Sequence, residues 1–238
     1  KVGFARDAVP EFPNLFFTRQ RYNPAPGGSM RGDYLSIVQQ HCGRGDYELT
    51  SDILLHTCSK EREYVEKLIP NEKERSYIVV CPGSAWRNKK MPLDSLELFL
   101  KKISEKMNAF FVFVWGTEEE REEVTILHKA FSSYSAVSKK MSVPGLQNLM
   151  GKADFVISMD SLPLHVCGTT ATPSFGIFGP SLALKYAPGP FFQGECPYGI
   201  TFIKRCPQLR TCKTGACIRE ASPEEIMAAF IAQKVPLK

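Results

Sequence analysis

The stretch Ser76-Tyr77-Ile78-Val79-Val80-Cys81-Pro82-Gly83-Ser84 decides the fold. It runs through Cys81 without apolar–polar alternation, then breaks at a Pro-Gly-Ser turn. A strand with one wet face alternates; an unbroken apolar run fits a strand covered on both faces, as in parallel sheets flanked by helices. The same sentence is then repeated down the chain. Asp94 to Met107 reads as a helix, with Asp94 as N-cap, Glu97 at the third position and Leu96, Phe99, Leu100 and Ile103 on one face. Phe110 to Trp115 reads as a strand closing on Gly116-Thr117, and Glu118 to Phe131 as a helix that is acidic in its first turns. A short strand over Tyr134–Val137 precedes a helix over Pro144–Lys152, with Pro144 at or just before its first position. Asp154–Met159 is a strand, Ser161–Thr170 a helix, Pro173–Phe178 a strand ending at Gly179-Pro180, and Pro223–Lys234 the last helix. Strands alternating with helices predict an α/β fold with a doubly wound parallel sheet.

Upstream the elements are shorter. Lys1–Ala5 and Asn14–Thr18 read as strands, Asn23–Gly28 as a loop and Ser29–Cys42 as a helix. Residues 43–58 read as a crossover, and Ser59–Ile69 as a charged amphipathic helix capped by Ser59.

Composition narrows the function classes. Of 238 residues, 43% are hydrophobic and 23% charged, which is ordinary for a folded globular chain. The 17 Gly and 17 Pro are too few for a low-complexity linker. A net charge of +5 suits an anionic ligand or membrane surface and is too weak to argue for nucleic acid. No apolar run reaches the length of a membrane-spanning helix, the longest being Ala109–Trp115. No signal peptide is read at the start of the chain, and eight cysteines are too sparse for a disulfide scaffold. The expectation is reduced thiols, a cytoplasmic location and a segment of a longer protein.

In doubly wound sheets ligands bind beyond the carboxyl ends of the strands, and there the sequence keeps its unusual residues. In Ile157-Ser-Met-Asp160-Ser161-Leu162-Pro163-Leu-His165 a strand passes directly into a helix. Asp160 or Ser161 can cap that helix, whose N-terminal N–H groups suit a diphosphate. His165 follows about one turn later, either as part of that site or as a core or capping histidine. After the first strand, Gly83-Ser84 permits close backbone approach, and Lys89 is placed to meet a phosphate, unless Lys89-Lys90 is merely a solvated pair. Glu118, Glu119 and Glu120 after Gly116-Thr117 are ordinary helix-dipole partners, and a Glu there can also hold a ribose hydroxyl. Cys196, Cys206, Cys212 and Cys217 lack the CxxC spacing of a zinc ribbon. Lys204, Arg205, Arg210, Lys213 and Arg219 accompany them, as a solvated basic face or one that meets lipid headgroups or an anionic acceptor.

Together these segments resemble glycosyltransferase family 9, the ADP-heptose:lipopolysaccharide heptosyltransferases, over roughly residues 75–235 and more weakly back to residue 1. The resemblance rests on strand–Pro-Gly-Ser, Lys89-x-x-Pro92, strand–Gly116 with Glu, Lys140-Met141-Ser142, Asp160-Ser161-x-Pro163-x-His165 and Phe178-Gly179-Pro180. The Cys-rich tail before Ser222-Pro-Glu-Glu also looks like the family. It implies a GT-B architecture: residues 1–70 as part of an acceptor-side domain with the interdomain crossover, and 71–238 as a Rossmann-like nucleotide-sugar-binding domain. It implies an ADP-sugar donor, a lipopolysaccharide core or lipid A-linked acceptor, peripheral contact with the inner membrane, and neither metal nor cofactor. By position, Lys89 would offset charge on the leaving diphosphate. Ser84 and Thr117 would lie along the donor, and one of Glu118 to Glu120 (Glu118 by preference) would hold the ribose. Met141 and Val143 would flank the adenine. Asp160, Ser161 and Leu162 would form the phosphate turn, completed by His165.

Two departures from the family pattern stand out. Leu162 occupies a position where the family usually has Gly, so a narrowed diphosphate site or an altered donor is expected, since Leu tolerates a positive φ poorly. The family's glycine-rich turn and acidic general base precede the matched region. The chain alone is therefore expected not to complete transfer. Two other readings stay open: a GT-B transferase using another nucleotide sugar, and a nucleotide-binding scaffold without transfer activity.

Overall fold

The computed structural model describes residues 1–8, 14–24, 28–43, 52–69 and 74–233. These divide into two compact units, Lys1–Thr50 with Leu184–Tyr186, and Ser51–Ala183 with Ala187–Lys238.

In the first unit, strand β1 (Val2–Phe4), helix α1 (Asn14–Phe17), strand β2 (Gln20–Tyr22) and helix α2 (Met30–Cys42) follow in order. β1 and β2 pair in parallel, Gly3 opposite Arg21. The expected strand at Asn14–Thr18 is thus a helical turn. Parallel neighbours cannot be joined by a hairpin and need an intervening crossover. Asn14–Phe17 lies in that crossover, while the polar Gln20–Tyr22 takes the ladder. The apolar run Leu15-Phe16-Phe17 was a poor strand signal, since Phe16 and Phe17 are exposed. α2 is capped by Ser29, whose Oγ accepts from Gly32 N–H, and closed by Gly43 at φ 62°. Lys185 in this unit pairs with the buried carboxylate of Asp33 and donates to Gly28 O. The middle of the expected 23–28 loop and half of the 43–58 crossover lie outside the described residues.

The second unit opens with α3 (Ser59–Leu68), β3 (Ser76–Cys81) and α4 (Leu93–Ser104). It continues with β4 (Ala109–Phe113), α5 (Glu118–Ala130), β5 (Ser135–Val137), α6 (Val143–Lys152), β6 (Phe155–Met159), α7 (Leu162–Cys167) and β7 (Ser174–Phe178). After the short α8 (Ala183–Tyr186) come β8 (Phe191–Gln193), α9 (Ala216–Arg219) and α10 (Pro223–Ala232). All six strands are parallel, in the order β5-β4-β3-β6-β7-β8. This is the order of doubly wound dinucleotide-binding sheets, whose chain reverses direction beside the first strand.

Two helix starts shift from expectation. α4 begins at Leu93 after Pro92, and Asp94 accepts from Ser95 N–H inside the first turn. Proline presets the backbone for helix entry, so the boundary moves upstream of the aspartate. α3 is preceded by Cys58, so Ser59 is its first residue rather than its cap.

The period-2 alternation of side chains sorts the strands onto two buried faces. Ile78 and Val80, flanked in register by Phe111, Phe113, Phe155 and Ile157, point to the side covered by α4, α5 and α10. Tyr77, Val79 and Cys81, beside Val112 and Val156, point to the side covered by α3, α6 and α7. On the first face Phe230 of α10 meets Phe99, Phe155 and Phe175 with ring centroids 5.9, 5.6 and 5.1 Å apart, all edge-on. Edge-on packing is the favoured aromatic geometry. α10 starts in a reciprocal capping box between Ser222 and Glu225.

Phe230→Ala should lower the unfolding free energy by about 3–5 kcal/mol, the cost of a large aromatic cavity in a packed core. Urea unfolding of the two chains measures it; a loss under about 1 kcal/mol would mean that α10 does not seal this face.

Candidate functional site

β3 pairs with β4 on one side and β6 on the other. The loops leaving β3 and β6 therefore diverge at their carboxyl ends and leave a crevice. A cavity of about 530 Å³ opens there, lined by the loops after β3, β4, β5 and β6.

The polar end is organised by one ion pair. Asp160 leaves β6 with its N–H on Ile177 O at 3.1 Å and its side chain buried. Lys89, at the end of a single 3-10 turn over Arg87–Lys89, brings its Nζ to 2.6 Å from Asp160 Oδ2. Ser84 and its neighbour Gly83 line the same end, as do Ser161, Leu162 and His165. The Lys89 turn is fixed from behind: buried Asn88 donates from Nδ2 to Leu209 O at 2.6 Å. Lys90 pairs with Glu123 of α5. Lys89 and Asp160 were both legible as site residues, but not their partnership, since the two lie 71 positions apart.

α7 starts as anticipated at the end of β6, but it ends at Cys167, short of Thr170. Ser161 is its N-cap and gives no side-chain cap; its Oγ turns back to Met159 O at 3.3 Å. Leu162 is the first helical residue, and Asp52 is the one non-glycine with a positive φ among the described residues. The expected backbone strain at Leu162 is therefore absent. What Leu162 adds is an apolar side chain, 60% exposed, on the cavity lining.

A second polar cluster sits after β4. Thr117 caps α5 and accepts from Glu120 N–H, while Glu120 Oε2 accepts from Gly116 N–H at 2.7 Å and Thr117 N–H at 3.3 Å. A Cβ at Gly83 would come within 2.2 Å of Glu120 Oε1, so glycine is required for the carboxylate to seat between the two strand ends. Thr117 and Glu120 line the cavity. Glu118 does not; it is exposed and pairs with Arg121 at 3.2 Å. The structure brings Glu120, rather than Glu118, to the cavity because the third residue of a capping box folds back over its own N-terminus.

The remaining wall is apolar. Met141 and Val143 line it with Val114, Leu146, Trp115 and Trp86. Trp115 Nε1 donates to Ser138 O at 2.7 Å, which holds the ring in place, and Arg121 stacks on it at 5.5 Å. Sequence reading passed over the two tryptophans as site residues, although Trp115 immediately precedes Gly116-Thr117. Burial pushes the Cys81 thiol upward, so it lines the floor as a neutral group. The arrangement suits a ligand with an anionic part and a flat apolar part.

The cysteines of the tail lie elsewhere. Cys196, Cys206, Cys212 and Cys217 line a second cavity of about 270 Å³ that also touches Asn88. All eight cysteines of the chain are free thiols. Burial and the neighbouring thiols push Cys217 up to about 11, while the Gly215 N–H and the Thr214 hydroxyl hold Cys212 below its usual range. Among the described residues no three His, Cys, Asp or Glu side chains are disposed to hold a metal ion. Nor, among the described residues, is any helix long and apolar enough to cross a membrane.

Comparison with known proteins identifies the family and the fold. The family model for glycosyltransferase family 9 (heptosyltransferase) matches residues 1–190. Among solved structures, the Escherichia coli heptosyltransferase WaaC with ADP is 17% identical with a TM-score of 0.63, covering 82% of this chain and 59% of its own. A glycosyl transferase family 9 protein from Veillonella parvula is 17% identical with a TM-score of 0.63, covering 98% of this chain and 66% of its own. The E. coli ADP-heptose LPS heptosyltransferase II is 17% identical with a TM-score of 0.51, covering 76% and 54%. The chain thus spans between half and two thirds of the length of these structures. Their likeness and the parallel sheets show the α/β fold of GT-B type. No curated protein matches the chain.

Removing Lys89 would strand the Asp160 carboxylate, whose side chain is 6% exposed. Lys89→Ala should cost about 3 kcal/mol of stability, and adding Asp160→Asn should recover most of it, because an unpaired buried charge is the larger penalty. A double-mutant cycle in urea gives the coupling; simple additivity would rule out the pairing.

Proposed function

Because the chain belongs to glycosyltransferase family 9, we propose that it is the donor-binding part of a heptosyltransferase-type enzyme that transfers a sugar from a nucleotide diphosphate. ADP-heptose is the donor, and the core of a bacterial lipopolysaccharide, or its lipid A-linked precursor, is the acceptor. In the reaction the bond between the anomeric carbon and the β-phosphate oxygen breaks. A bond to an acceptor hydroxyl oxygen forms, and that hydroxyl loses its proton to a base. Residues 71–238, together with α3, are the nucleotide-sugar-binding domain; the residues before α3 contribute to the acceptor side and the crossover. The enzyme works on the cytoplasmic side of the inner membrane, in peripheral contact with it.

The observation that carries the reading is the Lys89–Asp160 pair at the reversal point of the sheet, with an apolar wall on the far side of the same cavity. The diphosphate occupies the polar end. Lys89, held by Asp160, faces the oxygen on which charge collects as the sugar departs, and a preoriented cation there lowers the barrier. Ser84, Ser161, Leu162 and His165 surround the phosphates. Glu120 takes the ribose in preference to Glu118, since it lies on the cavity and its carboxylate is already oriented by Gly116 and Thr117. Met141 and Val143 flank the base. Leu162, an exposed apolar side chain on the cavity lining, narrows the diphosphate end.

A second reading, a nucleotide-binding scaffold without transfer, draws on that Leu162 side chain. Transfer of radiolabelled heptose to a core acceptor by the full-length protein would exclude it.

Calorimetric titration with ADP and UDP tests the main reading. ADP is expected to bind more tightly than UDP, and Asp160→Ala and Lys89→Ala to weaken ADP by about 1–3 kcal/mol each, the cost of a lost charged hydrogen-bond partner. Preference for UDP would change the donor, and unchanged affinity in both variants would remove the site assignment.

A further inference from the structure

The apolar wall is braced by a residue that does not line the cavity. Glu61 is the third residue of α3, and its carboxylate accepts from Ser142 N–H at 2.9 Å, Ser142 Oγ at 2.8 Å and Thr57 Oγ1 at 2.8 Å. Ser142 is the N-cap of α6, accepting from Gly145 N–H. The carboxylate therefore lies over the N-terminus of α6, where the helix dipole favours a negative charge. Its approach depends on Gly145: a Cβ there would fall 2.3 Å from the Glu61 carboxyl carbon. The Ser142 bonds, with Thr57, hold the Glu61 carboxyl below its ordinary range.

One turn on, Tyr64 braces the other end of the same segment. Its hydroxyl accepts from Lys139 N–H at 2.7 Å, and the Lys139 ammonium lies 4.9 Å from its ring centroid. Residues 139–142 are thus clamped to α3 at both ends, with Met141, which lines the cavity, between the clamps. Charge-assisted hydrogen bonds are the stronger kind, and Ser142 donates two of them to Glu61.

We propose that Glu61 is a positioning residue for the nucleobase: acting through Ser142, it fixes the distance of the Met141–Val143 wall from the opposite side of the cavity and so sets selectivity for the base. This rests on the reading that the cavity takes a nucleoside diphosphate. Glu61 touches neither phosphates nor sugar in that reading. Its loss loosens the base site while the polar end, built on Lys89 and Asp160, stays as it is.

The test compares ADP with inorganic pyrophosphate, which has the phosphates and no base. Binding of both is measured for wild type, Glu61→Ala, Glu61→Gln and Tyr64→Phe, ADP by calorimetry and pyrophosphate by competition. Glu61→Ala is expected to weaken ADP about tenfold and to leave pyrophosphate within about twofold. Glu61→Gln keeps an acceptor for Ser142 N–H but loses the charge, and should fall between. Tyr64→Phe should shift the ratio in the same direction. Should Glu61→Ala fail to fold, Glu61→Gln carries the same comparison. Wild-type ADP affinity in the Glu61 variants, or equal losses of ADP and pyrophosphate, would overturn the proposal alone. A wild-type chain that binds no ADP would overturn the reading of the cavity, and this proposal with it.

Discussion

The central constraint is that β3 has parallel partners on both sides while both its faces are buried. A strand so enclosed has no edge and no wet face, so only its ends remain for polar chemistry. The chain fills one side of it with β4 and β5, then crosses back to fill the other with β6, β7 and β8. The loops after β3 and β6 must therefore part, and the gap they leave is the cavity. The apolar strands and the polar crevice are two results of one topological choice.

That choice places charge in a partly desolvated setting. Lys89 and Asp160 are each mostly hidden from water, an arrangement tolerable only because they meet. Glu120 is handled differently: two backbone N–H groups share its carboxylate, and Gly83 vacates the space that it fills. Both devices fix a charged group before any ligand arrives, which lowers the ordering cost of binding. At the apolar end the same end is served by clamping the backbone from outside, through Glu61 and Tyr64.

Much of this was legible in the sequence because short-range rules govern it. The runs Ser76–Cys81, Ala109–Trp115 and Asp154–Met159 read as buried strands, and the residues after them collect at one end of a parallel sheet. Ser84, Lys89, Thr117, Glu120, Met141, Val143, Asp160, Ser161, Leu162 and His165 do line one cavity. What escaped was set by tertiary context. Asn14–Phe17 reads as a strand by hydrophobicity, yet lies in a parallel crossover. Glu118 and Glu120 are equivalent in composition, and only the back-folding of a capping box separates them. Glu61 carries no local mark: its role exists because α3 packs beside the start of α6, 81 positions away in sequence. The strand β8 was hidden by its length, three residues after Pro190, and its ladder is supplied by β7.

The Asn88 bond to Leu209 has a consequence for the order of assembly. It spans 121 positions, and Gly215, in the left-handed conformation, packs so closely on Asn88 that no side chain would fit between them. On a chain made from its N-terminus, the strands β3 to β7 are available to pair long before residues 209–215 emerge. The turn that presents Lys89 is therefore closed late, by the cysteine-bearing tail, with only α10 still to follow. Contacts of such long sequence separation are the slow ones in folding. A ribosome-bound intermediate would hold a nearly complete sheet whose crevice still lacks the support for its principal cation.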